Sequence, residues 1–205
     1  MYCVKSAVAA ALIAFSWLSM SAERTQATEI DQALNSIRTA TERFKDVNVA
    51  LAEGYLADPN NMCEMAENVG QPAHLGVMGI HYFRPDLLGI TETEPRVNGN
   101  GMNLDFENPS ILIYEPQEDG SLALVAVENL VFIEAWEAAG NTEPPMLLGR
   151  SWDRMVDDPA TEVDEAHGFA PHYDQHVWVF RDNPNGSLEP FNPAATCAHH
   201  MAHAE

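Results

Sequence analysis

An α+β fold is what this sequence predicts, with one long N-terminal helix packed on an antiparallel sheet of about four or five strands. Three observations predict it. A stretch near the start repeats its apolar residues every three to four positions, as one face of a helix does. Later stretches such as "MGIHYF" and "ILIYEP" alternate or run apolar over strand-like lengths between turn residues. One of them returns on itself through "PQEDG", which joins antiparallel neighbours. A helix that long needs a large apolar partner, and a sheet face is the common solution.

The chain has 205 residues, of which 46% are hydrophobic, enough for one domain with a real core. Residues 1–27 read as a secretory signal peptide and are set apart from the fold. Lys5 gives a positive start, Ala7 to Leu18 an apolar run, and Ser19-x-Ser21 or Thr25-x-Ala27 a small-residue cleavage pattern. The apolar run is short for a bilayer span, and no later segment is long and apolar enough for one, so no integral span is expected after cleavage. This implies a periplasmic or secreted protein. The alternative is an uncleaved N-terminal anchor.

Residues 28–205 then form a single α+β domain with a His-rich tail. Thr28 to about Leu56 carries the helical stripe, through Ile30, Ala33, Leu34, Ile37, Phe44, Val47, Leu51 and Tyr55. Thr28 suits the cap, and Asp58-Pro59 ends the helix. Met78 to Phe83 reads as a strand, Thr91 to Pro109 as a long loop, and Ser110 to Glu115 with Ser121 to about Ile133 as a hairpin. From Glu128 to Ala139 the pattern fits a strand or a helical stripe. Pro171 to Phe180 reads as the last strand, and Asp182 to Gly186 as a turn.

Cysteine and charge bound the partners. Removing residues 1–27 takes Cys3 and leaves Cys63 and Cys197, which in an oxidising compartment are expected to form one disulfide. It also removes Lys5, Arg24 and Glu23. That leaves 8 basic and 30 acidic residues and takes the net charge from −21 to −22. Such a surface repels phosphate backbones and argues against nucleic acid, while attracting cations.

The segments "TERFKDVNVALAEGY", "MGIHYF", "ILIYEPQEDGSLALVAVE" and "PHYDQHVWVFRDNPNGSLEPFNPAATC" together resemble a family of uncharacterised exported bacterial proteins. The resemblance covers most of the mature chain. It implies export and a single domain, and it brings no catalytic residue with it.

The candidate chemistry is therefore read from side chains. On a strand, His172, Asp174, His176, Trp178 and Phe180 share one face. Imidazole and carboxylate are ligands for zinc or copper. Two histidines four apart on a straight strand lie about 13 Å apart at Cα, too far to share an ion easily, so a bend after Pro171 is expected to turn His172 and His176 toward His81. His81 interrupts an apolar strand, where an unpaired imidazole is costly. Glu128 and Glu134 each interrupt an apolar run, and Glu134 completes the expected set of His81, Glu134, His172 and His176. The expected function is binding of a divalent transition metal, zinc or copper foremost. Alternatives are a metal-dependent enzyme using the same site and a metal-free structural or ligand-binding domain. His199, His200 and His203 in the tail bind metals adventitiously or form a polar tail. Nucleophile-elbow, C-x-x-C, haem-attachment, Walker A and dinucleotide motifs are missing from the sequence, so neither nucleotide nor haem is expected.

Overall fold

The computed structural model describes residues 26–59 and 61–201. All but the last two residues of the expected signal segment lie outside them, as does His203 of the tail. Contacts divide the chain into a unit ending at Ser36 and a larger one from Ile37. In the first, Gln26 to Ser36 are helical; the remaining elements belong to the second.

The helical stripe does not run unbroken to Leu56. The first helix, α1, covers residues 26–41, and a 3-10 turn follows at Glu42–Lys45. Thr41 is buried and its Oγ1 donates to Ile37 O at 2.7 Å. Asp46 then adopts an extended conformation and its side chain accepts from Asn48 N, capping a separate helix α2, Val47–Ala52. The apolar period survives across this break, while a local cap at Asp46 interrupts the backbone ladder.

The strands in chain order are β1 (Leu56–Ala57), β2 (Cys63–Met65), β3 (Val77–Phe83), β4 (Ile90–Glu92), β5 (Asn98–Gly99), β6 (Ile111–Pro116), β7 (Leu122–Phe132), β8 (Met146–Leu147), β9 (Arg150–Ser151), β10 (Asp153–Met155) and β11 (His172–Val177). The main sheet has seven strands rather than four or five. Its order is β1-β3-β6-β7-β11-β10, with β2 also on β3, and every pairing is antiparallel. The extra members are pieces of two or three residues, below the length at which alternation is readable.

The expected hairpin is present as β6 and β7. The ambiguous stretch after Glu128 resolves as strand to Phe132, then as a short helix α4, Ile133–Ala138. A short helix α3, Pro85–Leu88, precedes the expected long loop, and the pair β4–β5 structures its first part.

Registers assign the two faces. His81 pairs with Ile113, Ile113 with Ala126, Ile111 with Glu128, and Glu128 with His176. Direct cross-strand partners share a face, so His81, Ile111, Ile113, Glu128 and His176 all point to one side. The other side carries Tyr82, Leu112 and Tyr114. Tyr114 Oη donates to Phe44 O at 2.7 Å, and Tyr55, edge-on to Phe44, donates to Pro109 O at 2.6 Å. That face therefore takes the turn at Glu42–Lys45, with Tyr55 packed beside it.

The site-bearing side is covered by irregular chain. Val97 N donates to Gly168 O, and Ala170 N to Val97 O, tying the loop after β4 to the segment before β11. Arg96 strengthens the tie through Asp157 and Asp164. Buried Asn129 holds the loop ahead of β6, its Oδ1 accepting from Ser110 N and Oγ. Cys63 and Cys197 are bonded, closing a separation of 134 residues between β2 and the C-terminal segment. In the chain-entropy account such a link contributes about 5 kcal/mol. Among the described residues no helix is long and apolar enough to cross a membrane.

Candidate metal centre

Three central strands of the main sheet each contribute one ligand type. β3 brings His81, β7 brings Glu128, and β11 brings His176. One ligand atom from each lies within 4.8 Å of the other two. Glu128 Oε2 is 3.3 Å from His81 Nε2 and 3.4 Å from His176 Nε2. These separations match a shared ion: two atoms bonded at about 2.0–2.1 Å to a tetrahedral centre lie about 3.3 Å apart. This group could hold a metal ion.

Burial makes the arrangement costly without an occupant. His176 is 0% exposed and Glu128 3%. Neither ring nitrogen of His176 has a hydrogen-bond partner, and neither does Glu128 Oε2, because the 3.3 and 3.4 Å contacts lack hydrogen-bond geometry. Buried polar atoms are normally satisfied. Two of these unsatisfied atoms, Glu128 Oε2 and His176 Nε2, face each other beside His81 Nε2, an arrangement that a cation could satisfy.

Electrostatics agree with a negative, imidazole-rich pocket. Burial opposes charge on Glu128, yet the surrounding histidines, His176 first, hold its carboxyl below the usual range. Burial lowers His176 to about 4, leaving the ring neutral and able to donate a lone pair. For His81, burial acts in the same direction, but Glu128 more than offsets it and the net shift is upward. A cation would compete with that proton for the same lone pair.

His172 and Asp174 lie on the same face and are both buried. His172 Nδ1 is 3.0 Å from Ala170 O, so Nδ1–H donates and Nε2 is free to accept, 4.0 Å from Asp174 Oδ2. Burial, then repulsion from Glu128, raises the Asp174 carboxyl well above the ordinary carboxylate range, and its Oδ1 has no hydrogen-bond partner. His172 is thus beside the three-residue group and outside it. Glu134 stands apart: β7 ends at Phe132, and Glu134 is an exposed residue in the first turn of α4. The carboxylate at the group is Glu128.

No match emerges from family models, curated proteins or solved structures. The chemistry therefore rests on the geometry of the residues themselves.

A cavity of about 390 Å³ reaches this floor. Its walls are mostly apolar, and His81, Glu128, His172 and Asp174 line it. His176 lies behind them, packed edge-on to His81 at 6.2 Å between ring centroids. His167 also lines the cavity, with a buried Nε2 that has no hydrogen-bond partner.

The expected bend before β11 is not what brings the histidines together. His172–Val177 pairs in continuous register with β7 and is flanked by β10, with all six residues buried. His176 meets His81 because Glu128 lies opposite it on β7, while β6, between β7 and β3, presents the apolar Ile111 and Ile113 to that face between them. Glu128 and His81 reach toward each other over those two side chains. Two residues at the floor carried weaker sequence signals. Asp174 is visible in the alternation of β11, whereas His167 sits in an irregular segment that gives no periodicity at all.

Proposed function

We propose that this chain is an exported protein that binds a divalent transition metal through His81, Glu128 and His176 and presents it to the cavity. The observation that carries the reading is Glu128 Oε2, buried without a hydrogen-bond partner and 3.3 and 3.4 Å from two imidazole nitrogens. Two imidazoles and a carboxylate suit zinc with an open fourth position, and iron(II) in a facial site. Copper is a further candidate, since its affinity exceeds that of zinc at a given nitrogen–oxygen site. Export is supported by the leader-like pattern of residues 1–27 together with the Cys63–Cys197 bond.

The test is metal analysis and titration of protein in which His199→Ala, His200→Ala and His203→Ala have removed the tail's own affinity. One ion per chain is expected. Glu128→Ala and His176→Ala should each weaken binding by more than the roughly 10–100-fold that losing an outer partner costs. Glu134→Ala should leave it unchanged. Parent-like affinity in Glu128→Ala would sink the reading.

A second reading, a metal-dependent enzyme, is favoured by the cavity. Structural metal sites are closed by protein ligands, and catalytic ones keep a position open. Here two of the three ligands line a cavity, and the buried Asp174 carboxyl lies beside them as a proton donor or acceptor.

A further inference from the structure

The cavity selects its occupant by two features. Its walls include Phe83, Leu88, Ile90, Ile111, Leu130 and Phe169, and its polar residues gather at the floor, with Asp58 and Thr93 as further polar groups. Among the described residues that line it there is no lysine or arginine, while Asp58, Glu64, Glu128 and Asp174 are all acidic types. With no cationic side chain on its walls, such a lining offers phosphorylated molecules no pairing partner along them and gives a polyol few hydrogen bonds there. At about 390 Å³ it falls within the range of small-molecule pockets. If one heavy atom takes roughly the 30 Å³ share of a liquid water, about a dozen fit.

We propose that the cavity binds a small apolar molecule, with an aliphatic or aromatic body of about this size and a single oxygen-donor head that ligates the ion. The proposal rests on the metal reading above. Head and body act at opposite ends. The head meets the ion held by His81, Glu128 and His176, where Asp174 Oδ1 and His172 Nε2 are placed to hydrogen-bond to it. The body fills the space between Leu88, Ile90, Leu130 and Phe169. Leu56 and Pro59 also line the space, so exposed Leu56, 56% accessible, has a role beyond chance surface hydrophobicity.

The experiment compares two hydroxamic acids with the same chelating head on zinc-loaded protein lacking the three tail histidines. Octanohydroxamic acid carries an apolar body and acetohydroxamic acid does not. Metal content is measured first. The expected result is one zinc per chain and at least about a hundredfold tighter binding of the octanoyl compound, a fraction of what full burial of its extra methylenes provides. Zinc bound at the site with equal affinity for both compounds overturns the ligand proposal and leaves the metal reading standing. No zinc bound overturns both. A filled-cavity variant gives an independent readout. Ile90 is half-buried and lines the cavity, so a larger side chain there occupies the cavity, and Ile90→Trp should retain zinc and lose the preference for the octanoyl compound. Retention of that preference counts against the cavity as the body's site. Where that variant fails to fold, the comparison on the parent protein still decides.

Discussion

At the residue scale, His167 shows how the cavity is tuned. Its φ of 55° places it in the left-handed region, where asparagine is among the better-tolerated residues. Burial first, then the neighbouring histidines, lowers its pKa to about 3. The folded protein therefore keeps His167 neutral where the unfolded chain, with a pKa near 6.5, takes up a proton. Its contribution to stability is complete above about pH 6.5 and is lost as pH falls from there toward 3. The slope is about 1 kcal/mol per pH unit for this one group. His167→Asn should flatten the acid limb by about that amount in urea unfolding of metal-free protein between about pH 6 and 4. An unchanged limb would mean the ring is not held neutral. The site residues were legible to different degrees. His81 stood out because an imidazole inside an apolar strand has to be explained, and His176 because it shares a strand face with Trp178 and Phe180. Choosing between Glu128 and Glu134 required knowing where β7 ends, and both sit six residues apart on what reads as one face. His172 was grouped with His176 by alternation, which assigns a face and says nothing of distance along it.

At the element scale, local chemistry decided what periodicity did not. The helical stripe from Thr28 to Leu56 is real as a pattern, but the Asp46 cap and the buried Thr41 divide it into α1 and α2. The hairpin of β6 and β7 was readable because both strands are long and the turn between them is rich in turn formers. β1, β2 and β10 were not, since two or three residues carry no period. The C-terminal segment meets the start of β3 through close backbone contact at Gly76. That residue has φ of 94° and ψ of −137°, and a Cβ there would come within 2.3 Å of Asn192 O. Val77 and Asn192 exchange backbone hydrogen bonds beside it. Gly76→Ala combines a glycine-only conformation with a backbone clash, and should destabilise the protein by at least about 3 kcal/mol in urea unfolding. A loss below about 1 kcal/mol would show that the approach of the C-terminal segment is not tight.

At the scale of the whole molecule, the proposed metal site ties binding to folding. Its three residues come from β3, β7 and β11, which meet only when the sheet is assembled. An ion held there would bind the native state and stabilise it by about 2.7 kcal/mol at a hundredfold excess over its dissociation constant. For a domain of this length each kcal/mol raises Tm by about 2–4 °C, so zinc should raise Tm by about 5–11 °C. Protein with Glu128→Ala should show none of this rise in a calorimetric scan, provided the tail histidines are removed in both. An equal rise in both proteins would locate the binding elsewhere.

The sheet's borders carry a consequence of a different kind. Beyond β3, the outer rim is covered in two separate pieces, β1 of two residues and β2 of three, with Pro59 in the chain between them. The opposite rim ends in β10, also three residues long. Central strands as apolar as β6 and β7 would be hazardous if left at a border, because unpaired amide and carbonyl rows recruit further strands from other molecules. Here no long row is offered on either side, and a proline cannot donate to an incoming strand. With a net charge of −21 adding mutual repulsion between copies, the same short strands that escape detection in the sequence protect the concentrated protein from growing into ordered aggregates.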